Sequence, residues 1–172
     1  MSVSKDPLHV KLSEAFSNID ESLAIVGGIL LESLRGKDSS FYEYIQVLPK
    51  HIPNLSYFSS KSLDELQDLS FKKEVEKASS NQKDSFYEFK QQIEKIWPEE
   101  MVTKVSMENF QWAQSVVDSR GLRFKGKIYL APFADMFNYA PHPQVRKSNS
   151  GEFFLKHHLH QRFFSYSPFL NG

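Results

Sequence analysis

Asp135 and Asn138 are the residues of this chain best placed to do chemistry. They lie in APFADMFNYAPHPQV (131–145), where an apolar, strand-like run breaks into a turn that Pro141 and Pro143 stiffen. The end of a rigid element is a usual place to display binding groups. Asn offers a donor and an acceptor and Asp offers acceptors, so the pair could hold an ammonium and an adenine-type edge. Both types also satisfy the backbone of a turn on their own, and spacing alone leaves the two readings open.

The other chemistry-bearing groups are poorer. HHLH at 157–160 would put His158 and His160 on one face of a strand and His157 on the other. Zinc needs a third ligand and a supporting shell, and neither is visible, so no metal is expected. Ser39, Ser40, Ser115, Ser119 and Ser165 offer hydroxyls without a G-x-S-x-G elbow. Asp64/Glu65 and Glu99/Glu100 read as solvated helix faces. Gly27-Gly28 stands inside an apolar helical run and follows no strand, which suits close helix packing better than a phosphate cradle.

The elements that must position these groups are mostly helical. Ser22–Leu34 is apolar at Leu23, Ile25, Val26, Ile29, Leu30 and Leu34, with Gly36 as its stop. Ser40 with Glu43 resembles a capping box opening a short helix through Leu48, which Pro49 ends. Residues 50–61 read as an extended loop. Ser62 with Glu65 is a second capping box, starting a helix through Ala78. Ser79-Ser80-Asn81 punctuates, and Asp84–Trp97 resumes a helical pattern that Pro98 closes. Ser106 begins a further helix with Met107, Phe110, Ala113 and Val117 on one face and Gly121 at its end. Lys127–Phe133 and Glu152–His160 favour strands on either side of the proline-rich turn. The tail HQRFFSYSPFLNG has no evident sheet partner.

Composition narrows the classes. Lys plus Arg equals Asp plus Glu at 21 each, so net charge gives no reason to expect nucleic acid or an anionic membrane as partner. With no cysteine, disulfides, zinc–thiolate sites and a Cys nucleophile are excluded. The longest apolar run, within Leu23–Leu34, falls short of the roughly 20 residues that span a bilayer. The first fifteen residues hold Asp6 and Glu14 and no signal-peptide h-region. The cytoplasm and nucleus are favoured and a plastid stays open. Fifteen Phe among 172 residues mean that large flat side chains do much of the packing.

Three stretches carry a family resemblance. ADMFNYAPHPQV resembles the ADMxNHxxxPN signature of SET-domain protein methyltransferases, in the branch holding the Rubisco large-subunit lysine methyltransferase and the actin-histidine methyltransferase. FQWAQSVVDSRGLRF (110–124) looks like that branch's aromatic-WAxSxVxSR helix, and ILLESLRGKDSSFYEYIQVLP (29–49) looks like its LLxExxxGxxSxWxPYIxxLP stretch. The resemblance implies an S-adenosylmethionine-dependent protein methyltransferase acting on a Lys or His side chain. It implies that Asn138 contacts the methionine portion of the cofactor and that the backbone at Tyr139 meets the adenine. Arg120 and Asp135 would line the cofactor and substrate cleft. Tyr139 replaces the family's His, so any contact that needs imidazole is lost. FFSYSPFLN echoes the family's SYGxxxN, with Tyr166 at the acceptor-orienting tyrosine and Ser167 in place of Gly. It lies closer to Asn138 than in the family, so no catalytic residue is assigned.

The resemblance covers roughly residues 20–157 and lacks the family's Gly-rich N-terminal strand–turn and its C-terminal substrate-binding domain. The expected fold is therefore α+β, a mainly helical SET-insert region followed by a small β portion of an incomplete SET domain. Residues 1–20 form an N-terminal segment, 21–122 the insert-like region and 123–172 the partial C-terminal SET region. A chain so incomplete is expected to be weak or inactive alone, and the alternative is a non-catalytic protein-interaction module derived from a SET protein.

Overall fold

The computed structural model describes residues 6–52, 54, 60–65, 67–124, 127–132, 135, 145–147, 153–155 and 162–163; of these, 60, 123, 124 and the strand residues beyond 144 are described by backbone alone. The described chain is mainly helical. Helix α1 (Pro7–Phe16) opens on Asp6, whose Oδ1 accepts from the Leu8 amide at 2.9 Å, with Pro7 where a missing N–H costs nothing. Helix α2 (Glu21–Arg35) is capped by Asp20 and ends at Gly36, whose φ of +56° is the left-handed conformation that favours glycine. A 3-10 turn (Gly36–Asp38) and α3 (Tyr42–Val47) follow, then α4 (Ser60–Asp64), α5 (Leu69–Ile93), α6 (Glu99–Val102) and α7 (Met107–Arg120).

Helix α2 is the centre of the molecule because it is apolar nearly all round. Every residue from Leu23 to Glu32 is buried, against α1, α3, α7 and the second strand. Gly27 is where α1 comes closest, since a Cβ there would stand 2.7 Å from Leu12 Cδ2. Phenylalanines fill the space between α1, α5 and α7. Phe16 stacks on Phe89 at 5.6 Å, and Phe89 meets Phe110 at 5.2 Å and the edge of Trp97 at 6.3 Å. All three phenylalanines are fully buried, each worth about 1.5–3 kcal/mol of burial.

The strands are short. Strand β1 (Leu122–Phe124) pairs antiparallel with β2 (Lys127–Tyr129), registering Leu122 against Tyr129. Strands β3 (Val145–Lys147), β4 (Phe153–Leu155) and β5 (Arg162–Phe163) form a second antiparallel sheet in the order β3-β4-β5.

Several local expectations are corrected. Phe41, with no side-chain cap bond, precedes α3 in place of a Ser40 box. Ser62 lies inside α4, and Asp68 caps the long helix by accepting from the Ser70 and Phe71 amides. That helix runs unbroken through Ser79-Ser80-Asn81. Val75, Gln82 and Phe89 recur every seven residues as a buried stripe across the polar stretch, and burial of that stripe outweighs a few tenths of a kcal/mol of propensity per residue. The tail has a sheet partner after all, since β5 pairs Phe163 with Phe153. The expected strand at 127–133 is regular only through Tyr129, after which Ala131 accepts from the Asp135 amide and the chain turns.

Candidate functional site

Three segments far apart in sequence meet at Asp135. Its Oδ2 accepts from the Tyr44 hydroxyl of α3 at 2.5 Å. Arg120, in the last turn of α7, brings Nη1 to 3.5 Å from both that oxygen and the Asp135 carbonyl, an ion pair too long for a strong hydrogen bond. The Asp135 side chain is fully buried and Arg120 is about a quarter exposed. Its other oxygen, Oδ1, is buried with no hydrogen-bond partner among the described residues. A buried acceptor left in that state costs about 1–3 kcal/mol.

Local structure explains why these groups converge. Ser106 and Asn109 close a reciprocal capping box that fixes the start of α7. The Gly121 amide reaches back to Val117 at 2.7 Å and ends the helix one residue past Arg120. The Trp112 indole donates to the Pro49 carbonyl at 2.9 Å, pinning the end of the α3 segment to α7. Asn54 reaches Ser115 at 2.5 Å from the loop that follows.

Tyr44 is pushed well above the ordinary phenol range, first by burial, then by its hydrogen bond to Asp135 and that carboxylate's charge. Arg120 opposes the shift and does not reverse it. The phenol is thus a fixed donor at neutral pH and no base.

Tyr44 also lines a partly open cavity of about 50 Å³, together with Ile25, Ile29, Ile45, Leu130 and Pro132. His9 and Glu32 also line that cavity and belong to a buried polar cluster. Glu32 Oε1 accepts from His9 Nε2 at 2.6 Å and Arg35 Nη1 at 2.8 Å, while Oε2 accepts from the Ser39 hydroxyl at 2.5 Å. Burial alone would raise the Glu32 pKa, but the bonds from His9 and Ser39 and the charge of Arg35 hold it below the ordinary value. An ionised carboxylate only accepts, so His9 carries its proton on Nε2. The set has Ser, His and Glu, but the hydroxyl donates to the carboxylate and not to an imidazole. It lacks the base–nucleophile bond of an acyl-transfer triad. Arg35 also pairs with Asp6 Oδ2 at 2.7 Å, so the cluster ties α1 to the end of α2.

Of the residues marked in the sequence, Arg120 and Asp135 are brought together. Asn138, Tyr139 and Tyr166 lie outside the described residues, as do His157, His158 and His160. Among the described residues no group of three His, Asp or Glu could hold a metal, and no helix is long and apolar enough to cross a membrane. Sequence reasoning missed Tyr44, although it lies inside a motif stretch, and it missed Glu32 and His9. Their signal was positional. Glu32 falls three and seven residues after Ile29 and Ile25, and His9 three and seven before Leu12 and Phe16, each on a helix's apolar face. Compared with known proteins, the chain matches no protein-family model, no curated protein and no solved structure.

Proposed function

We propose that this chain is part of a protein N-methyltransferase of the SET type, using S-adenosylmethionine to methylate a Lys or His side chain of a protein substrate. One observation carries the reading. Tyr44, Arg120 and Asp135 come from the three separate stretches that resemble the Rubisco-methyltransferase branch, and they converge on one buried carboxylate. Residues 21–122 would be the helical insert and 123–172 the start of the C-terminal SET portion, with Asn138 and the Tyr139 backbone holding the cofactor.

The chemistry suits such a place. Methyl transfer is an in-line displacement that asks little covalent work of the protein, so holding amine and sulfonium in line contributes most. A dry site also favours the neutral amine that must attack. Asp135, held by Tyr44 and Arg120, would orient donors in that cleft.

A second reading, a non-catalytic interaction module, is favoured by the self-contained aromatic core of α1, α2, α5 and α7. Calorimetric titration with S-adenosylmethionine separates the two. Micromolar binding abolished by Asn138→Ala supports methyl transfer; no binding at millimolar cofactor sinks catalysis by this chain and leaves the module.

A further inference from the structure

Helix α3, which carries Tyr44, is too short to hold itself. It spans six residues and its first residue follows Phe41, which makes no side-chain cap bond. Isolated helices shorter than about 12 residues are marginal in water, so its anchors decide whether it is ordered. Its end is held by the buried Leu48 and by the Pro49 carbonyl, which accepts from Trp112. Its start hangs on the buried Ser39. The Ser39 hydroxyl accepts from the Phe41 amide at 2.9 Å and donates to Glu32 Oε2 at 2.5 Å, while its carbonyl accepts from the Tyr42 amide. Ser39 is thus the joint between α3 and the carboxylate on α2.

Glu32 is held in turn from α1. Its other oxygen, Oε1, takes His9 Nε2 at 2.6 Å and Arg35, and Arg35 also pairs with Asp6, the N-cap of α1. A carboxylate is rigid and planar, so its two oxygens turn together, and the donors on Oε1 set where Oε2 points. His9, Glu32, Phe41 and Tyr44 line one cavity, so these links lie side by side.

We propose that Ser39 is a positioning residue that couples the docking of α1 to the Tyr44–Asp135 bond. With α1 docked, Glu32 fixes Ser39, Ser39 fixes the first turn of α3, and the Tyr44 hydroxyl meets Asp135. With α1 displaced, that turn frays and the hydroxyl leaves the carboxylate. Helix α1 thereby controls the Asp135 site, although none of Tyr44, Arg120 and Asp135 lies on it. What the site binds rests on the methyl-transfer reading; the coupling rests on the hydrogen bonds alone.

The test uses the whole chain, with ring-labelled tyrosine and backbone amide exchange both read by NMR. Tyr44→Phe identifies the Tyr44 ring signal. Ser39→Ala is expected to speed exchange of the Ile45 amide, which donates to the Phe41 carbonyl, roughly tenfold, as loss of one hydrogen bond implies. It is also expected to move the Tyr44 ring carbon that bears the hydroxyl toward the position of a solvated phenol. His9→Leu removes the α1 donor to Glu32 with a good helix former of similar bulk. It is expected to produce both changes when Ser39 is present and neither further change when Ser39 is already replaced by alanine. A His9→Leu effect at Ile45 that persists in the Ser39→Ala background means that both residues act through overall stability, and overturns the coupling. So does a Tyr44 ring signal that stays in place in either single variant. S-adenosylmethionine titration of the wild-type chain runs in parallel. A chain that binds none loses the methyl-transfer reading, while the exchange and ring signals still decide the coupling.

Discussion

The Tyr44 hydroxyl donates to Asp135 Oδ2 at 2.5 Å across 91 residues of chain, closing the helical part onto the turn that follows β2. Helix α3 is only six residues long and has no capping side chain, so tertiary contacts hold it in place. The bond therefore serves the fold as well as the site.

Tyr44→Phe removes that donor and leaves the buried carboxylate side chain, among the described residues, with Arg120 at 3.5 Å. A hydrogen bond to a charged group is worth about 1.5–3 kcal/mol, and urea denaturation is expected to show a loss of that order. In a double-mutant cycle with Asp135→Asn the two changes should cost less together than their sum. Strict additivity would mean that the bond contributes nothing.

Burial of Tyr44, with the same bond second, sets an alkaline limit. The folded-state pKa of Tyr44 is raised above its ordinary 10. Above pH 10 the folded state thus holds a proton that the unfolded chain releases, and stability falls as pH rises. Tyr44→Phe is expected to flatten that fall, read from urea midpoints across the alkaline range with phenolate absorbance as the monitor.

Glu32 gives the acid counterpart. Its folded pKa is depressed below 4.5 despite burial, so its stabilisation is full above that value and is lost as pH falls through the folded pKa. Glu32→Gln should weaken the acid dependence, whereas Glu32→Ala should cost about 1–3 kcal/mol at neutral pH by taking the acceptor from the buried His9 Nε2 and the Ser39 hydroxyl, Arg35 keeping Asp6. Identical acid profiles for wild type and Glu32→Gln would refute the assignment.

The adjacent glycines of α2 are expected to respond with opposite signs. Gly27→Ala would put a Cβ 2.7 Å from Leu12 Cδ2 and 3.2 Å from Phe89 Cε2, both on fully buried side chains. Overpacking of that kind costs about 1–3 kcal/mol. Gly28→Ala meets only His9 at 3.4 Å and gains about 0.5–1 kcal/mol of helix propensity. Thermal unfolding of the pair decides it, and a shared sign would contradict the packing.

Asp68 carries the start of the 25-residue α5, its Oδ1 accepting from two amides at 2.8 and 3.1 Å. Asp68→Ala is expected to cost about 1 kcal/mol and to fray the first turn of α5, detectable as faster amide exchange at Ser70 and Phe71. Unchanged exchange there would remove the cap from any role.

The amino-acid sequence by itself determined the helices that carry their own punctuation. Gly36 ends α2 and Ser106 starts α7 where caps and apolar spacing agree, because those signals act within one or two turns of the residue that makes them. It also located Asp135 at the end of an apolar run, while leaving open whether that carboxylate satisfies its own turn. Only the tertiary structure decided that question, by giving Asp135 a partner 91 residues away. Tertiary packing likewise carried α5 through a polar stretch that reads as a break, since its buried stripe is rewarded only when α7 is present to cover it. The Glu32 cluster arises the same way, from an acid and a histidine 23 residues apart on helices whose approach at Gly27 no local propensity encodes.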